Sequence, residues 1–206
     1  MDHANLLAGS YDYHLVALSI VIAIGASYAA IELAGRVTAS RGWTRTAWLA
    51  GGASATGMGI WSMHYIGMLA FKLPVPVWYD WRIVLVSLLA AILASVVALY
   101  VVSRQRMGLA SAAMGSVVMG AGIAAMHYIG MEAMRLSAMC EYTPGILTLS
   151  IVLAILISFV GLWLVFRVRE ETKGDIWRKL GSALVMGAAI PVMHYMANKL
   201  LDSDYV

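Results

Sequence analysis

Six long apolar stretches alternate with short polar segments along this chain, at roughly Tyr13–Ala34, Ala47–Phe71, Trp81–Val102, Leu109–Met134, Gly145–Phe166 and Ile176–Leu200. A helix crosses the hydrocarbon core of a bilayer with about 20 mostly apolar residues, so each stretch is long enough to span. The runs are continuous and lack the period-two alternation of barrel strands, which predicts helices. The pattern defines an all-α integral membrane fold of six transmembrane helices, read as a single domain over residues 1–206.

Composition agrees, with 62% hydrophobic against 12% charged residues. The few charges are placed unevenly. Arg36, Arg41 and Arg45 follow the first span, Arg104 and Arg106 the third, and Arg167, Arg169, Lys173, Arg178 and Lys179 the fifth, which is ten of the fourteen basic residues. Basic loops stay in the cytoplasm, so the N-terminus and the C-terminal Asp202–Val206 are expected outside. The net charge of +3 then describes edges facing anionic lipid, with no aromatic-laced basic face for nucleic acid. Met1-Asp2-His3 lacks the basic start of a cleavable signal peptide, leaving the first span to target the protein. The one cysteine, Cys140, excludes an internal disulfide. Trp43, Trp48, Trp78, Tyr79 and Trp81 fall at span ends, as an interfacial aromatic belt does.

Chemistry enters with a word written three times: Met63-His64-Tyr65, Met126-His127-Tyr128 and Met193-His194-Tyr195. Gly57, Gly120 and Gly187 precede the histidines at one spacing, and Ile60, Ile123 and Ile190 at another. This is an internal repeat of roughly 65 residues, giving three tandem two-helix units with the second, fourth and sixth helices around a shared site near the outer face. Ionisable residues inside a membrane are functional candidates. Four positions after each histidine, on the same helical face, stand Met68, Met131 and Asn198. Imidazole with thioether suits copper, or zinc through imidazole alone, whereas hard cations want oxygen-rich cages. Met63, Met126 and Met193 lie about 100° around the helix from their histidines, so they ligate or pack according to helix rotation. Tyr65, Tyr128 and Tyr195 are interfacial anchors or outer partners that orient a ligand, as is Asn198. His14, beside Asp12 at the outer end of the first span, either caps the site or is an ordinary interfacial histidine. Glu32 and Glu132 require neutralisation, a partner or solvent.

The chain resembles an MHYT domain, a bacterial integral-membrane sensory module. The likeness runs from Tyr11-Asp12 and Leu15-Val16-Ala17-Leu18-Ser19 through Trp61–Met68 and Ala125–Met131 to the third copy. It implies a location in the bacterial cytoplasmic membrane and copper held by the motif residues. It also implies sensing of a diatomic gas (oxygen, carbon monoxide or nitric oxide) and a cytoplasmic signalling domain that makes or breaks cyclic di-GMP, with no catalysis in the sensory domain itself. The motif's threonine is absent here, replaced by Ile66, Ile129 and Met196, and Ala197-Asn198 stand where the other copies have Gly-Met. The seventh span that usually follows in the family is missing, which reads as a sensory domain excised from a longer protein.

Three other readings compete. A membrane haem protein would use two histidines as axial ligands and leave the third without a task. A zinc-dependent hydrolase would need an acid or base at the histidine level, where only Glu132, Asp12 and Asp80 are available. A copper transporter would need further soft ligands deeper in the bundle, where serine, threonine and glycine predominate. Apolar faces left open are expected to be covered by lipid or by a second copy in a homodimer.

Overall fold

The computed structural model describes residues 10–135, 144–169 and 176–201, except for the side chains of Ile146 and residues 190–201. Six helices dominate it: α1 (Tyr13–Ala39), α2 (Gly42–Ala70), α3 (Trp81–Val102), α4 (Leu109–Glu132), α5 (Pro144–Val168) and α6 (Ile176–Leu201). Each packs on the next, and α6 returns to α1, so the bundle closes into a ring. Among the described residues four helices are long and apolar enough to cross a membrane: α1, α3, α4 and the Leu147–Val168 part of α5. At 29 residues α2 is as long. Its buried face includes Gly52, Ala53, Thr56 and Gly57, small or polar residues that lower its mean hydropathy.

Glycine sets the helix spacing, and it does so identically in each repeat. A Cβ on Gly57 would stand 2.7 Å from Ile92 Cα, one on Gly120 2.6 Å from Ile155 Cα, and one on Gly187 2.5 Å from Ile24 Cα. The even helices therefore press backbone against α3, α5 and α1, the close approach that small residues permit in membranes. The odd helices repeat as well. Ser19, Ala23, Ile24 and Ser27 of α1 recur as Ser87, Ala91, Ile92 and Ser95 of α3 and as Ser150, Ala154, Ile155 and Ser158 of α5. Below them Ile31, Leu99 and Leu162 meet in one buried cluster.

Two-residue strands, which the apolar pattern did not predict, latch the motif end of the bundle. β1 (Ser10–Tyr11) pairs antiparallel with β2 (Phe71–Lys72), and β3 (Trp78–Tyr79) with β4 (Met134–Arg135). Asp12 N–H donates to Ala70 O at 2.8 Å, and Asp80 N–H to Ala133 O at 2.9 Å. Both aspartates then cap their helices, accepting from His14 N and Arg82 N, which satisfies first-turn donors. Each also faces a cation, Lys72 at 2.8 Å and Arg135 at 3.9 Å. The Lys72 hydrogen bond holds the Asp12 carboxyl below the usual range. At the opposite end Lys179 Nζ meets Glu32 Oε1 at 2.8 Å, so the carboxylate singled out in the first span has a partner.

Candidate metal centre

His64 lies six residues before the end of α2 and His127 five before the end of α4, or about 8–9 Å from the helix ends at 1.5 Å per residue. The two imidazoles meet there, ring centroids 4.9 Å apart and planes inclined at 58°. Both are buried, at 2% and 6% exposure. Gly130 makes the seat. A Cβ on it would fall 2.6 Å from His64 Nε2 and 3.7 Å from the Met68 methyl. Gly130 follows His127 by three residues, so both occupy one face of α4. The helix withholds a side chain where the His64 ring lies.

The other expected residues separate by role. Met68 and Met131 are buried on the histidine faces, and Met68 stands beside the His64 ring. Met126 is packed in an apolar cluster with Ile60, Ala91 and Ile123, whereas Met63 lines a cavity in the bundle core. Tyr65 stacks on Trp61 at 5.3 Å and meets Tyr79 edge-on at 5.5 Å. Burial, with Tyr65 adding to it, pushes the Tyr79 phenol up to about 12, so it stays protonated. Tyr128 presents its ring at 80° to His127 and hydrogen-bonds through its hydroxyl to Ser150. His14 is exposed at the start of α1. The side chains of Met193, His194, Tyr195 and Asn198 lie outside the described residues, as does Cys140.

Sequence reading missed the serines that brace this layer. Trp61 Nε1 donates to Ser87 Oγ at 3.0 Å, and Ser150, which meets Tyr128, is the repeat equivalent of Ser87. Their signal lies in the recurrence of the odd helices, where Ser19, Ser87 and Ser150 hold one repeat position. Ser87→Ala leaves the indole N–H without this acceptor and is expected to cost about 1 kcal/mol, seen as a lower midpoint in thermal unfolding.

Among the described residues no three His, Cys, Asp or Glu side chains come together. The described part of the centre is the histidine pair with its neighbouring thioether. That donor set fits a metal of the copper or zinc kind. A metal–imidazole nitrogen bond of about 2.0–2.1 Å puts two adjacent ligand rings near the observed separation. Oxygen donors for a hard cation are lacking in this pair.

Closed ring, repeated two-helix unit and buried histidines together define a multi-pass helical membrane domain. Within that class the chain belongs to the MHYT family, described as "Bacterial signalling protein N terminal repeat", which matches residues 4–47, 57–115 and 120–174. It is 47% identical over 92% of its length to the bifunctional diguanylate cyclase/cyclic di-GMP phosphodiesterase MucR of Pseudomonas aeruginosa, covering 28% of that protein. It is 42% identical over 90% of its length to the signaling protein YkoW of Bacillus subtilis, covering 23%. With the cyclic di-GMP phosphodiesterase NbdA of Pseudomonas aeruginosa it shares 38% identity over 90% of its length and 24% of that protein. The chain thus spans about a quarter of the length of these relatives. No solved structure matches it.

Proposed function

We propose that this domain is a membrane sensor whose His64, His127 and His194 hold a copper ion, with Met68 and Met131 as soft neighbours, and that a diatomic gas is its signal. The observation that carries the reading is the buried contact of His64 with His127 over Gly130. Copper, when bound, supplies an open coordination position for a small ligand. The chain's own part is to hold two imidazoles on different helices, so that a change at the centre shifts α2 against α4 in a two-state manner. His194 extends the set by the repeat.

The ten basic residues that follow the first, third and fifth spans in the sequence favour a cytoplasmic location for those connections and an outer location for the histidines. Output falls to a further domain of a longer protein, a cyclic di-GMP cyclase or phosphodiesterase like those named in the relatives. Two features weigh against the alternatives. Rings this close leave no room for a macrocycle between them, and no carboxylate joins the pair among the described residues.

Metal mass spectrometry on protein purified without added metal is the test. Near-stoichiometric copper in the wild type should fall to background in His64→Ala, His127→Ala and His194→Ala. Unchanged copper in all three would refute the assignment, and stoichiometric zinc would transfer it to another metal.

A further inference from the structure

The six-helix ring encloses a cavity of about 60 Å³ in its core. Thr56, Met119 and Met186 contribute to its wall from the three motif helices, each eight residues before its histidine, or about 12 Å deeper in the bundle. Ala30, Ala98 and Gly161 contribute from the odd helices. Met63, next to His64, also lines it. Apart from a few hydroxyls the lining is apolar, and apolar cavities stay dry and take up apolar guests. Thr56 Oγ1 is the polar exception in that wall. The residue is 7% exposed and this hydroxyl has no hydrogen-bond partner among the described residues, although helical threonines commonly bond the carbonyl four residues back. An unmet buried hydroxyl costs stability, and here it borders a space large enough for one small molecule and too small for an acyl chain.

A second cavity, of about 270 Å³, shares Met119, Gly161 and Met186 with the first. Its other walls include Leu156, Val160 and Val185, which are half-exposed or more, so it opens on the lipid-facing surface between α5 and α6. The partition between the two spaces is narrow and soft. The Met186 methyl sits 3.7 Å from where a Cβ on Gly161 would stand, and methionine changes rotamer readily.

We propose that a diatomic-sized apolar molecule dissolved in the bilayer enters between α5 and α6, passes Met119, Gly161 and Met186, and lodges in the central cavity beneath the histidine pair. This deepens the sensor reading by supplying a lipid-side route and a holding site. It rests on that reading for the guest's purpose and not for its binding.

Xenon alone is the probe, titrated into full-length chain in lipid nanodiscs with 13C-methyl-labelled methionines. Met63, Met119 and Met186 methyls should shift saturably, while Met58 and Met114, 48% and 70% exposed, follow dissolved xenon linearly. Gly161→Leu, which fills the partition, should abolish the saturable response. Ala98→Leu, on another wall of the central cavity, is the second filling variant should the first not fold. His127→Ala should retain the saturable response, so failure of the metal assignment leaves this result standing. A linear response from every methyl, a saturable one untouched by both filling variants, or acyl-chain contacts to the Met63 methyl would each overturn the proposal.

Discussion

Gly120→Val is expected to lower the stability of the folded protein by about 3 kcal/mol, with a thermal midpoint well below wild type. The first added carbon would stand 2.6 Å from Ile155 Cα and 2.8 Å from its nitrogen. These are backbone atoms on a packed helix, so no rotamer change relieves the clash and α4 must separate from α5. Gly57→Val and Gly187→Val meet the backbones of α3 and α1 in the same way and should behave alike. Gly25 and Gly51 are internal controls, since a Cβ there meets nothing within 4 Å among the described residues. Alanine at either should be neutral or stabilising by up to about 1 kcal/mol through helix propensity. A Gly120→Val protein that melts with the wild type would show that α4 and α5 cross too loosely for Gly120 to touch the Ile155 backbone.

Those contacts explain why the helices were legible in the sequence and their packing only partly so. The apolar run at Trp81–Val102 coincides with α3 because Asp80 caps its start and polar residues follow its end. α1 continues to Ala39, five residues past its apolar run. Hydropathy falls where the helix leaves the membrane, while its backbone stays helical through Arg36 and Thr38. The strands escaped notice because two residues carry no period. Their signal was the recurrence of Tyr11-Asp12 as Tyr79-Asp80.

The site divides along the same line. Matched triplets identified His64 and His127, and the structure brings them into contact. Met63 and Met126 look equivalent in sequence, yet one borders a cavity and the other sits in an apolar cluster. Helix rotation decides that difference, and rotation is fixed by contacts such as Gly57 against Ile92 that no single helix encodes. In the sequence Gly130 is only a residue trailing the motif; its task appears in the fold, where the His64 ring lies against it.

On the proposed copper assignment, that glycine allows the centre to be disturbed without removing either histidine. Gly130→Ala adds one methyl 2.6 Å from His64 Nε2, which is the tip of a side chain, so the ring can yield where a backbone could not. Stability should change by less than about 1 kcal/mol, with the gain in helix propensity offsetting the displaced imidazole. Metal affinity should fall on the order of tenfold to a hundredfold, as when a group that orients a ligand is altered. The third repeat already carries Ala197 at this place, so the sequence itself breaks the threefold symmetry of the centre. Thermal unfolding and copper titration on one preparation separate the two effects. Wild-type copper affinity in a well-folded Gly130→Ala protein would mean that the contact between His64 and Gly130 does not position the metal. A loss of affinity with the melting point unchanged would tie copper to the imidazole orientation that this seat imposes.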